Sequence, residues 1–417
     1  MNTYELNNAP NLNVLSSEAR WPFYSLAFGM LVSYLPGFIE GGVGVSVSYL
    51  GWIVPLLGCG FVVISNRSLM SFPLQIWLPW TLWALVYLFF AVEDNALQRT
   101  IMLLTPLVVG AAFSTLRVDA ALIRIAALWI KYFLWIFVAA AGVATGLMSG
   151  QLNEASGFAA GSITAALLAT WFAARYTGGD QRSLVYWAVL SLVPVLANTR
   201  TGMIAVAMTL PLTLAPLPLN KRLVVVGVLV FAGLLLFQTE HIQKKMFFSG
   251  QGTVLDALTG VTDLFSGEDT ESGDFATSGR KSMNDVLLAR LDEDYWFGHG
   301  ANTTEPISMA IAGVTHPHND WLRLRYEYGT LGMLVFIATV LVQIWHAMRR
   351  LGWLAGTESA VFIYVGVSAF IPMAIFMVSD NVLLYAAWFG NLHFALLGLG
   401  YAALRSAQAP DDLGAIT

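Results

Sequence analysis

Apolar runs of about seventeen or more residues recur along nearly the whole chain. As helices rising about 1.5 Å per residue, such runs can cross a hydrocarbon core of about 30 Å. Helix is the expected form, because lipid offers no partner to open backbone groups. The expected crossings are 21–39, 44–64, 73–92, 99–116, 121–147, 157–175, 183–198, 202–218, 222–239, 329–348, 358–379 and 382–404. The pattern therefore predicts an all-α integral membrane protein of about twelve transmembrane helices. A cytoplasmic N-terminus (1–20) leads into helices 1–9 (21–239). A long hydrophilic loop with its helix entry (240–328) follows, then helices 10–12 (329–404) and a cytoplasmic tail (405–417). No small-residue cleavage site follows the first run, so that run is expected to stay as a helix.

Charge gives the runs a direction. Arg67, Arg117, Arg175 with Arg182, Lys221 with Arg222, Arg349 with Arg350, and Arg405 fall on the same side as Arg20. The opposite short connections carry Glu40, Glu93 with Asp94, Glu154 and Asp380. The excess of Lys and Arg on one side makes both termini cytoplasmic and the long loop periplasmic. Over residues 240–320 that loop has thirteen acidic residues against five basic ones. Its middle, Ser266 to Gly279, has the Gly, Ser, Thr and acid content of a mobile segment. Met283, Val286, Leu287 and Leu291 recur at helical spacing, which predicts a short amphipathic helix on the membrane surface. Tyr295, Trp296 and Phe297 follow as an interfacial aromatic group.

Composition narrows the class further. Hydrophobic residues make up 57% and charged residues 11% of the 417 positions, whereas a soluble domain carries about a quarter charged residues. The net charge of -5 comes with no basic patch, which excludes a nucleic-acid partner. The single cysteine, Cys59, lies inside an apolar run, so it can form neither an intrachain disulfide nor a paired-cysteine metal site and reads as packing.

Three constellations could carry chemistry. The first is Thr315-His316-Pro317-His318-Asn319-Asp320-Trp321-Leu322-Arg323. Pro317 disfavours helix at His316, and Asn319 or Asp320 can cap the helix that follows. His318 then sits at a helix N-terminus, whose positive end keeps an imidazole neutral and also attracts phosphate. A base beside an anion site suits glycosyl transfer from a phosphate-linked donor. The plainer alternative is that the two histidines and the asparagine only cap and anchor a helix. A zinc site of His316 and His318 lacks a third ligand at recognisable spacing apart from the distant His299.

The second constellation is Asn198-Thr199-Arg200-Thr201-Gly202, a turn between two short apolar runs. Such runs reach only about 22–24 Å, which recesses Arg200 below the outer surface, where an arginine needs an anion or carbonyls. The alternative is snorkelling to the headgroups. The third is Gly279-Arg280-Lys281, where a mobile loop could deliver a guanidinium to a diphosphate or simply meet lipid phosphates. The acidic run from Asp263 to Asp274 does not match a calcium-binding loop and reads as solvated surface. Among polar residues inside apolar runs, Arg124 and His346 lie near run ends, whereas Lys131 and His393 are deep enough for a translocation path.

His318-Asn319, nine residues, then Gly329-Thr330-Leu331-Gly332 resembles the histidine motif of the O-antigen ligase and polymerase superfamily. Thr199-Arg200-Thr201-Gly202 resembles its outward arginine turn, and Gly298-His299-Gly300 resembles its segment before the histidine. The likeness spans about residues 185–350. It implies a metal-independent, inverting glycosyltransferase of the GT-C type, without cofactor, in the bacterial inner membrane. The implied substrate is glycan carried on undecaprenyl diphosphate, taken at the periplasmic face. In that picture His318, or alternatively His316, takes the acceptor proton, Arg200 and Arg280 bind the diphosphate, and Asn319 and Arg323 support them. The wording of the histidine motif looks more like polymerases of O-antigen or exopolysaccharide, with a possible chain-length regulator as partner. The other branch is a ligase that uses lipid A core as acceptor. The rivals from other classes are a lipid or anion transporter or flippase, expected to show pseudo-symmetric halves, and an assembly subunit. Juxtaposition of His318, Arg200 and Arg280 separates the enzyme from both.

Overall fold

The computed structural model describes residues 17–34, 42–90, 93, 95–147, 159–257, 259, 280–291 and 294–408. Ser266 to Gly279, expected to be mobile, lie outside the described residues, as does the side chain of Arg280. The fold is all-α: α1 (Ser17–Tyr34), α2 (Gly42–Ser65), α3 (Leu74–Val86), α4 (Ala96–Phe113), α5 (Ala120–Leu147), α6 (Ala159–Thr177), α7 (Arg182–Leu196) and α8 (Arg200–Met208) form the first part. They are followed by α9 (Leu219–Phe237), α10 (Glu240–Met246), α11 (Arg280–Leu291), α12 (Thr304–Ala312), α13 (Asp320–Arg350), α14 (Ala360–Ser368), α15 (Phe370–Phe376) and α16 (Gly390–Gln408). Among the described residues, four helices are long and apolar enough to cross a membrane: Ala96–Phe113, Ala120–Ala139, Leu219–Phe237 and the helix running on from Asp320 to Leu354. Shorter apolar helices cover Tyr49–Ser65, Leu74–Phe90, Arg182–Leu196 and Ala360–Phe376.

The interior is built on α16, which packs against α4 and α14, while α14 continues onto α6 and α6 onto α7 and α8. A Cβ at Gly398 would stand 2.3 Å from the carbonyl oxygen of Gly110, so α16 and α4 meet backbone to backbone. In lipid, where apolar burial does not drive helices together, such close approach is what holds them. Cys59 is fully buried against Ser25, as expected of a packing residue.

Several expected spans are interrupted. The run 202–218 is helical only to Met208, and its irregular continuation is closed by side chains. Arg222 donates to the carbonyls of Pro211, Ala215 and Leu217, and Ser368 Oγ accepts from the Leu214 N–H at 2.9 Å. Prolines 211, 216 and 218 explain why helix does not persist there. The run 382–404 becomes helical only at Gly390, after a chain of turns over 377–389.

The helix expected from 329 starts at Asp320 and is broken at Gly329, which has φ 74° and ψ 170°. The break frees backbone groups, and the segment 295–300 takes them up. Thr330 N–H donates to the Tyr295 carbonyl at 3.1 Å, and Leu331 N–H to that of Trp296 at 3.2 Å. In return, His299 and Gly300 N–H donate to the carbonyls of Tyr326 and Glu327 at 2.9 and 3.0 Å. Trp83 Nε1 donates to the Tyr328 carbonyl at 3.1 Å. Both chains need glycine here, since a Cβ at Gly298 would lie 2.3 Å from Gly329 N and one at Gly329 2.2 Å from the Trp296 oxygen.

The amphipathic helix of the loop forms as α11, but its apolar side is not given to the membrane surface. Met283, Leu287 and Leu291 are buried, the latter two clustering with Leu322 and Tyr326 of α13, and Ile307 of α12 packs onto the same cluster. An apolar stripe does not distinguish a lipid partner from a protein one, and here α12 and the entry to α13 supply it.

Candidate functional site

The histidine turn is shaped by local rules. Asn319 is the N-cap of α13, its backbone extended and its side chain accepting from the Leu322 N–H at 3.0 Å. His318, immediately before the cap, has φ 52°, a left-handed conformation uncommon for a side-chain-bearing residue. Its imidazole is 31% exposed, and Nδ1 lies 3.6 Å from Asp380 Oδ1 and 3.5 Å from Asn381 Nδ2. His316 is only 9% exposed. Burial, helped by the nearby charges of Arg99 and Arg323, pushes its imidazole down to about 2.

The first N–H groups of α13 would be orphans at a helix start. They are met instead by the turns after α15: Asp320 N–H donates to the Asp380 carbonyl and Trp321 N–H to that of Met377, each at 3.3 Å. Asp320, fully buried, accepts from the Leu383 N–H at 2.8 Å through Oδ2 and forms an ion pair through Oδ1 with Arg323 Nη2 at 3.0 Å. Arg323 is thereby held inside the helix entry. Glu327, one turn further, accepts from Thr304 Oγ1 at 2.5 Å. The entry to α13 is a buried polar network tied to α12 on one side and to the turns 377–389 on the other.

The arginine turn is equally local in origin. Asn198, at φ 49°, ends α7, and Thr199 caps α8 while its hydroxyl bonds that of Ser162 at 2.7 Å. Asparagine tolerates this left-handed geometry better than most residues. Arg200 is the first, half-buried residue of α8, and the next hydroxyl, Thr201, is bonded to Ser379. Ser379 precedes Asp380, so the arginine turn and the histidine turn meet on one short segment, Ser379-Asp380-Asn381.

Arg280 opens α11. His299 is kept from the other histidines: its ring stacks on Tyr326 at 4.2 Å, with Nδ1 directed at the Tyr326 carbonyl. The polar residues of the apolar runs have local partners. Lys131 lies over the Tyr186 ring, His393 bonds the Gly366 carbonyl, His346 bonds the Tyr401 hydroxyl, and Arg124 bonds the carbonyl one turn behind it.

Sequence reasoning passed over Asp380 and Asn381, reading Asp380 only as an outer-side charge. The available signal was an Asp-Asn pair at the edge of an apolar run with no nearby Lys or Arg, which is a functional hint in a membrane setting. It also passed over Arg99 and Glu305, which lie 3.6 Å apart beside the histidine turn.

Residues 184–337 match the family model described as O-antigen ligase. No curated protein matches the chain. The matched segment contains Arg200, Arg280 and His318. Residues 184–337, which hold the arginine turn and the histidine turn, are a domain of the O-antigen ligase and polymerase superfamily.

Proposed function

We propose that the protein is an inverting glycosyltransferase of the GT-C type, crossing the bacterial inner membrane about twelve times with both termini cytoplasmic. It transfers glycan from undecaprenyl diphosphate at the periplasmic face. The observation that carries this reading is the meeting of the two turns: Thr201 bonds Ser379, and the adjacent Asp380 faces His318 at 3.6 Å. The turn that carries Arg200 and the partly exposed imidazole of His318 thereby share the segment Ser379-Asp380-Asn381, which supports the reading.

In the reaction, His318 takes the proton from the acceptor hydroxyl as its oxygen attacks the anomeric carbon from the face opposite the leaving group. The bond from that carbon to the phosphate oxygen breaks, and undecaprenyl diphosphate leaves with the electron pair. Arg200 and Arg280 bind the diphosphate and offset the charge that develops on it. Asp380 orients the imidazole and stabilises the imidazolium formed by proton uptake. His316 is a poor base by comparison, since an imidazole pushed down to about 2 gives little driving force for proton transfer. Asn319 and Arg323 fix the turn that presents His318.

The wording of the histidine motif favours a polymerase, which adds one lipid-linked repeat to another. The description of the matched family favours a ligase with lipid A core as acceptor. Replacing His318 by alanine in the native host, with glycans resolved on gels, tests both. Single repeats indicate loss of a polymerase, and long lipid-linked polymer that never reaches lipid A core indicates loss of a ligase. An unchanged glycan pattern removes His318 from the mechanism.

A further inference from the structure

Arg99 lies in the first turn of α4, outside the segment that matches the family, and no motif of the sequence points to it. Its side chain is 19% exposed, and its Nη2 lies 3.6 Å from Glu305 Oε2. Glu305, 16% exposed, already accepts from Asn302 Nδ2 at 2.8 Å. The Nε of Arg99 is buried and has no acceptor among the described residues. Arg99 sits beside the histidine turn, close enough for its charge to act on His316 and to reach Tyr385.

The neighbouring pair gives a measure of what a purely structural contact looks like in this network. Asp320 and Arg323 are almost wholly buried and 3.0 Å apart, and since the Arg323 Nε also lacks an acceptor among the described residues, the contrast with Arg99 lies in distance and exposure. Charge-assisted contacts that serve packing close to about 2.7–2.9 Å, and an arginine fork prefers two acid oxygens at once. Arg99 has a shared carboxylate, at a distance beyond a hydrogen bond, and keeps part of its surface open. A half-buried guanidinium left in that state is costly unless a further anion completes it.

We propose that Arg99 is an anion-binding residue of the glycosyl-transfer site, taking a pair of acid oxygens from the substrate, with Glu305 as the carboxylate that holds it until they arrive. The inference rests on the transfer reading given above. Two sources supply the same chemistry: the diphosphate of the lipid-linked donor, or the carboxylate of an acidic sugar in the glycan.

The test uses the full-length protein in detergent, with farnesyl diphosphate and glucuronic acid as separate titrants. Arg99→Gln should weaken binding of one of them by about tenfold, the scale of one charge-assisted contact. Glu305→Gln removes the competing carboxylate and should leave that binding unchanged or tighter. Weakening confined to farnesyl diphosphate assigns Arg99 to the donor, and weakening confined to glucuronic acid assigns it to an acidic sugar. If the glutamine variant does not fold, Arg99→Lys, which keeps charge but loses the fork, should show severalfold weakening at an unchanged melting temperature. Wild-type binding of both titrants by the Arg99 variants, with a matching loss of thermal stability in Glu305→Gln, would make the pair structural and overturn the proposal. A normal glycan in the His318→Ala strain sinks the transfer reading whatever Arg99 binds. Loss of glycan in that strain with unaltered anion binding by Arg99→Gln sinks only the Arg99 inference.

Discussion

Two histidines two residues apart have opposite surroundings, and the difference is measurable. His316 is held neutral by burial and by two neighbouring arginines, its imidazole pushed from 6.5 down to about 2. The unfolded chain therefore takes up a proton that the folded chain refuses, so the stability linked to His316 is complete above about pH 6.5 and is lost as pH falls towards 2. The slope of that loss is at most about 1.4 kcal/mol per pH unit. His316→Gln should flatten the fall in melting temperature between pH 7 and pH 5, and an identical fall in both proteins would refute the assignment. The sequence made the turn legible because Pro317 and Asn319 act on their own neighbours. It hid Asp380 because a carboxylate 62 positions away meets His318 only after two helices have packed. No spacing rule connects residues that far apart.

At the scale of elements, the break in α13 does more than bend a helix. Residues 330–350, at about 1.5 Å each, span about 30 Å, the thickness of the hydrocarbon core, without any contribution from 320–328. Gly329→Ala must place a Cβ 2.2 Å from a carbonyl oxygen in a left-handed backbone. The expected cost is about 3 kcal/mol or more, read as loss of accumulation or a collapsed melting temperature. Gly352→Ala, where nothing lies within 4 Å, should be close to neutral and serves as the control. The glycines were visible in the sequence as part of a motif, but their reason was not. It lies in a second chain segment, 295–300, whose N–H and carbonyl groups they admit. The apolar stripe of α11 was likewise legible while its partner was not, because periodicity specifies a face and leaves its occupant open.

For the whole molecule, hydropathy predicts apolar helices and an outward site, and the described helices agree with the all-α part of that reading. The interrupted spans escaped it because side chains such as Arg222 and Ser368 satisfy backbone groups that a count of apolar residues assumes are satisfied by helix. The joining of the two turns can be tested in native membranes. Thr201→Cys combined with Ser379→Cys should cross-link under mild oxidation, with the buried Cys59 as no competitor. Failure to cross-link in a folded protein would detach Arg200 from the histidine site. The stitched break at Gly329 also bears on how the chain is made. Segment 295–300 leaves the ribosome before 326–331, so the groups that will receive the broken helix are made before that helix emerges. Synthesis in the N-to-C direction then favours assembly, because the acceptor edge has been made before the interrupted helix must commit to the membrane.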